Sequence, residues 1–128
     1  METFITKGIR VSVETTYQPA YSRPLESKFV FSYHITIENL SVDTVQLLRR
    51  HWLIFDAPGL MRQVEGEGVI GQQPVLAPGE SHQYASWSPI NTEIGKMSGS
   101  YTFVRQRDGQ EFQVAIPEFQ LVVPFKMN

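Results

Sequence analysis

The residues best suited to chemistry lie in two neighbouring stretches, Leu47-Leu48-Arg49-Arg50-His51-Trp52-Leu53-Ile54-Phe55 and Gly66-Glu67-Gly68-Val69-Ile70-Gly71. The second matches G-x-G-x-x-G, in which glycines let a pyrophosphate approach the backbone at the start of a helix. That use needs a strand, a tight turn and then a helix, and Pro74 followed by Pro78-Gly79 leaves no room for one. A dinucleotide site of that kind is excluded. What remains is a glycine-rich loop whose amides around Gly66, Gly68 and Gly71 could hold an anion as a nest, with bulges and tight turns between strands as the architectural alternative. In the first stretch two arginines and a histidine interrupt an otherwise apolar strand, so one face must accommodate cations. A guanidinium fork suits phosphate, which makes Arg50 the partner of the glycine loop in a phosphate or nucleotide site. The alternative is a cross-strand ion pair. A symmetric hairpin closed by Pro58-Gly59 sets Arg50 opposite Glu67, Trp52 opposite Glu65 and Leu53 opposite Val64, with the arginine stem covering apolar surface.

Other chemistry finds little footing. His34, His51 and His82 are far apart, no His-x-x-x-His pair or Gly-x-Ser-x-Gly elbow occurs, and no catalytic residue can be named. His34 is expected on the solvated face of its strand. Glu65 and Glu67 share a strand face and could hold a hard cation loosely, with salt bridging as the alternative. No cysteine is present, which removes disulfides, thiolate metal sites and cysteine catalysis together. The expectation is therefore a non-enzyme with no metal site and no cofactor. Eleven basic residues spread along the chain against thirteen acidic ones, with a pI near 5.9, argue against a nucleic-acid partner. Met1 to Arg10 has no apolar core of a signal peptide, and stretches such as Leu121-Val122-Val123 are too short to cross a bilayer. A cytoplasmic protein without a membrane partner is expected, and Asn39-Leu40-Ser41 then reads as a polar turn.

These side chains must be positioned by strands. A length of 128 residues suits one domain, 1–128, since domains commonly run to about 100–150 residues. Ile9, Val11 and Val13 alternate with polar residues, as do Phe29, Phe31, Tyr33, Ile35 and Ile37. Between these strands, Gln18 to Ser27 contains Pro19 and Pro24 and reads as a loop. Ala57-Pro58-Gly59-Leu60 and Ala77-Pro78-Gly79-Glu80 predict type II turns. Arg107-Asp108-Gly109-Gln110 predicts a two-residue hairpin loop that sets Phe103 opposite Val114 and Tyr101 opposite Ile116, with Phe112 on the same face. Beyond it the alternation runs through Pro117, either as one kinked strand or as two. Tyr84, after Leu76-Ala77-Pro78-Gly79, has the spacing of a corner in which a tyrosine hydroxyl bonds back to the chain. Helix is at most a minor component. About seven or eight short strands predict an all-β antiparallel β-sandwich of immunoglobulin or fibronectin type III kind.

The stretch Gly66 to Glu80 resembles the signature of ApaG proteins, and Val45 to Trp52 and Gly95-Lys96-Met97-Ser98-Gly99-Ser100-Tyr101 are similar to the segments flanking it. The resemblance runs from about Thr6 to Phe125, with Trp87 standing where a smaller residue is expected. It implies a fibronectin type III-like sandwich and a small bacterial cytoplasmic protein. It also implies a family-level association with cobalt resistance and magnesium efflux, and use of similar domains as interaction modules. A pyrophosphate role proposed for the loop would fall on Gly66, Gly68 and Gly71. The combined expectation is a protein-binding module with an unidentified partner, or a homodimer formed through a sheet edge.

Overall fold

The computed structural model describes residues 1–56 and 59–124. Its strands are β1 (Glu2–Thr6), β2 (Ile9–Tyr17), β3 (Phe29–Asn39), β4 (Val45–Asp56), β5 (Leu60–Glu67), β6 (Val75–Leu76), β7 (Ser81–Ile90), β8 (Ile94–Arg105) and β9 (Gln110–Val122). They form two antiparallel sheets, ordered β1-β2-β3-β7 and β5-β4-β8-β9, with β6 paired to the start of β4. The fold is the expected all-β sandwich, with nine strands among the described residues. One strand beyond the expected range is β1, which Lys7 and Gly8 fold back onto β2 with φ of 49° and 82°. That is the left-handed geometry of a tight hairpin turn.

The alternating residues meet between the sheets. Ile9, Val11 and Val13 of β2 and Ile35 and Ile37 of β3 lie against Tyr101, Phe103, Val114 and Leu121 of β8 and β9 in one buried cluster. Each large side chain so buried contributes about 1.5–3 kcal/mol of transfer free energy. His34 is exposed on β3 between buried neighbours, as the alternation requires. Trp52 of β4 fills the end of the core near β7, its ring 5.4 Å from Tyr33 and 5.9 Å from Phe119.

Two strand registers differ from expectation, and parity decides how much that matters. On β8 and β9, Tyr101 pairs with Val114 and Phe103 with Phe112, a slip of two. The connection is longer than a two-residue turn: Arg105 pairs with Gln110, and the Gly109 amide donates to the Arg105 carbonyl at 2.8 Å. Because side chains repeat every two residues, the faces survive. On β4 and β5 the slip is one. Asp56 pairs with Leu60, so Arg50 stands opposite Gly66, Arg49 opposite Glu67, His51 opposite Glu65 and Trp52 opposite Val64. An odd number of residues separates the strand ends where a symmetric Pro58-Gly59 turn supplies an even number. The turn expected at Ala57-Pro58-Gly59-Leu60 falls partly outside the described residues. At Ala77 to Glu80 the type II turn is present, with Gly79 at φ 87° and the Glu80 amide donating to the Ala77 carbonyl at 2.9 Å. Strand β9 runs unbroken past Pro117, because a bulge opposite Ser98 absorbs the missing donor.

The two flanks of the sandwich differ. On one, β1 and β9 approach closely and the Ala115 amide donates to the Thr6 hydroxyl at 3.2 Å. On the other, β5 and β7 end their sheets, and Arg62 reaches from β5 to the Pro89 carbonyl at 2.9 Å.

Candidate functional site

The glycine loop and Arg50 come together at this open flank. Gly66 carries the guanidinium of Arg50 directly over its backbone: a Cβ there would lie 2.7–2.8 Å from Arg50 Nη2, Cζ and Nη1. Gly68 sits at φ 65°, donates its amide to the Leu48 carbonyl at 2.8 Å, and would place a Cβ 2.2 Å from the Gln72 carbonyl oxygen. Ile70 and Gly71, at φ 48° and 72°, are the central pair of a turn in which the Val69 and Gln72 backbones bond each other at 2.8 and 3.0 Å. Each glycine thus has a local reason: a stacked cation, a close carbonyl and a left-handed turn. The amides of Gly68, Val69 and Gln72 are engaged within the protein, so an anion nest would have to draw on Ile70 and Gly71.

Arg50 departs from its expected ion pair with Glu67. Its Nη1 donates instead to the carbonyl oxygens of Glu67 at 3.1 Å and Gly68 at 2.9 Å. Its neighbours hold other carboxylates, His51 lying 3.4 Å from Glu65 and Arg49 2.7 Å from Glu111. The single-residue slip produces this arrangement. Among the described residues, Arg10, Arg23, Arg49, Arg105 and Arg107 each pair with a carboxylate, whereas Arg50 and Arg62 donate to backbone carbonyls. Both arginines without a carboxylate partner lie on the open flank.

Beside Arg50 opens a cleft of about 270 Å³ lined by Tyr33, Trp52, Glu67, Ile70, Tyr84 and Ser86. Tyr84 and Ser86 are contributed by β7, which brings the two sheets into one site. Tyr84 does not form the expected corner with its own chain; its hydroxyl bonds that of Tyr101 across the sandwich. Burial raises the pKa of both phenols, and of Tyr33, where the Ser86 hydroxyl and the Arg50 charge partly offset it. The three remain neutral hydroxyls at ordinary pH. The pair is hidden in the sequence because Tyr101 reads as one residue of a buried strand face and Tyr84 as a corner closed on its own chain.

The strands bordering the cleft are unlike. β5 carries Arg62, Glu65 and Glu67, and its side chains are exposed except at Gly66. β7 holds no Asp, Glu, Lys or Arg over its ten residues, and its Trp87 is half exposed, meeting Tyr21 edge-on at 5.1 Å. Among the described residues no group of three or more His, Asp or Glu side chains is arranged to hold a metal ion, and no helix is long and apolar enough to cross a membrane.

Comparison with known proteins agrees over the length of the chain. The family model described as the ApaG domain matches residues 19–105. The chain is similar to Protein ApaG of Brucella canis, 46% identical over 124 residues, covering 97% of this chain and 95% of that protein. It is similar also to Protein ApaG of Rhodospirillum centenum, 47% identical over 120 residues, covering 94% and 92%. Among solved structures, the putative ApaA protein from Bordetella pertussis superposes with a TM-score of 0.87 at 42% identity, covering 91% of this chain and 94% of that one. A protein from Archaeoglobus fulgidus shares the fold at TM-score 0.52 and 12% identity, covering 88% and 95%.

Proposed function

The chain belongs to the ApaG domain family, and from that premise we propose that it is a non-enzymatic cytoplasmic module that binds an extended segment of a partner protein along the outer edge of β7. The observation that carries this reading is the contrast between the edges. Sheet edges offer unpaired amides and carbonyls to any passing strand, and proteins guard them with charges, with proline or by covering them. Strand β1 lies beside β9, whose Ala115 amide bonds the Thr6 hydroxyl, and β5 bears three charged side chains. β7 ends its sheet with no Asp, Glu, Lys or Arg, and its Pro89 lies only at the far end. Strand addition along β7 would satisfy those groups, and the half-exposed Trp87 and Tyr21 would give the segment an apolar contact. On this reading the cobalt and magnesium association of the family acts through the partner.

A second reading, a phosphate or nucleotide site on Gly66, Gly68, Gly71 and Arg50, has less to support it, since the loop amides at Gly68, Val69 and Gln72 already have partners.

Crosslinking in extract of the source cells, followed by mass spectrometry, tests the first reading. An Ala85→Lys variant places a lysine on β7, and Val64→Lys serves as the control on β5. The partner recovered with the wild type is expected with Val64→Lys and reduced roughly tenfold with Ala85→Lys, the effect of about 1.4 kcal/mol. The β7 amides are expected to gain hydrogen-exchange protection in the complex. A partner retained equally by both variants, or recovery of no protein but the chain itself, overturns it.

A further inference from the structure

We propose that the unoccupied edge of the Arg50 guanidinium receives a carboxylate from the protein segment docked on β7, so that the partner is recognised by one acidic residue within an extended stretch. This rests on the docking reading above and names the chemistry of the partner. The molecule supplies its own reference for the geometry. Arg10 donates from Nε and Nη2 to the two oxygens of Glu38 at 3.1 and 2.7 Å, and Arg105 uses the same two nitrogens on Asp108. In both, that side of the guanidinium is the one that grips a carboxylate as a fork. In Arg50 only Nη1 is engaged, by two carbonyls, and among the described residues the Nε and Nη2 side has no partner.

The cation is also held in place. Rotating it away would break both carbonyl bonds and lift it from Gly66, the one strand residue that leaves it room. A strand added to β7 would project alternate side chains toward the sandwich, where Tyr84 and Ser86 of β7 border the cleft. Tyr101 is fully buried and its hydroxyl is bonded to that of Tyr84, which borders the cleft as a neutral polar group. The rings of Trp52 and Tyr33 line the inner wall and shield a charge-assisted bond from water.

Charge selects the class of anion in this cleft of about 270 Å³. Glu67 lines the same cleft, so a singly charged carboxylate is opposed less than a phosphate dianion would be.

The test is an NMR titration of the full chain, following the arginine Nε–H resonances. The probes are N-acetyl-glutamate amide, N-acetyl-glutamine amide and inorganic phosphate. The Arg50 resonance is expected to shift saturably with the glutamate probe at millimolar concentration, and at least about tenfold more weakly with the other two. Arg10 and Arg105, already paired, should not move. Arg50→Lys, which keeps the charge and loses the fork, should abolish saturation while the thermal midpoint shows the variant folded. No selective Arg50 shift with the glutamate probe, or tighter binding of phosphate, overturns the proposal. The probe adds no strand, so Ala85→Lys should leave its titration unchanged. Probe binding without capture on β7 would retire the docking reading and keep the carboxylate site, and capture without probe binding would do the reverse.

Discussion

On one flank β1 lies against β9, and the Ala115 amide reaches across to Thr6; on the other, β5 and β7 border a cleft spanned by the bond from Arg62 to Pro89. Each flank pairs a largely exposed strand, β1 or β5, with one whose burial alternates, β9 or β7. The closed one packs Leu121 and Val114 fully out of water. The open one retains what closure would have excluded: an arginine bonded only to carbonyls, a tyrosine hydroxyl bordering a cleft, and an edge without Asp, Glu, Lys or Arg. Closure spends strand edges on stability, whereas openness leaves them for another molecule.

The flanks should respond unequally to truncation. Leu121→Ala removes a fully buried side chain of β9 and should lower unfolding free energy by about 2–5 kcal/mol in urea denaturation. Val64→Ala on β5, where Val64 is 40% exposed, should stay within about 0.5 kcal/mol of the wild type. Comparable losses at the two sites would mean that β5 is part of the stabilising core and not a border of a binding cleft.

The tyrosine pair sharpens the comparison, because it joins the closed core to the open cleft. Tyr84→Phe strands the hydroxyl of fully buried Tyr101 and should cost about 1–3 kcal/mol, whereas Tyr101→Phe leaves Tyr84 able to turn to the cleft and should cost only about 0.5–1.5 kcal/mol. Burial raises both phenol pKa values above the unfolded value of about 10. Above that pH the unfolded chain ionises first and binds fewer protons than the folded one, so stability falls as pH rises. Below it these groups make no difference with pH. Denaturation from pH 8 to 11, as a range of roughly that width about the phenol value, should therefore show a decline that is shallower in Tyr101→Phe.

The strand faces were legible because burial repeats every two residues. His34 is exposed between buried Tyr33 and Ile35, and Phe103 kept its buried face despite a register slip of two. The site was less legible. Whether Arg50 meets Glu67 or Gly66 depends on whether the β4–β5 connection is odd or even, and turn chemistry does not settle that parity. The glycines were visible as a motif, but their reasons are tertiary: the guanidinium over Gly66 and the Gln72 carbonyl beside Gly68 come from pairings the local sequence does not encode. The charges of Arg50 and Glu67, expected to cancel, stay apart for the same reason.

A small stabilising effect is predicted at Ile70, and it separates architecture from ligand binding in the loop. A β-branched residue at φ 48° is strained, and Ile70 is 62% exposed, so burial offsets little of that cost. The turn it occupies favours Asn-Gly, with both central residues left-handed. Ile70→Asn should therefore raise stability by about 0.5–1 kcal/mol, read as a small increase in the urea midpoint at unchanged slope. Ile70 also lines the cleft beside Arg50. If its apolar side chain helps to seat the partner segment, the same substitution that stabilises the free protein should weaken the crosslinked complex. A variant that gains stability and loses capture would place Ile70 with Arg50 on the binding side of the comparison. One that gains stability and keeps capture would assign it to the turn alone, and would confine recognition to the guanidinium and the β7 edge.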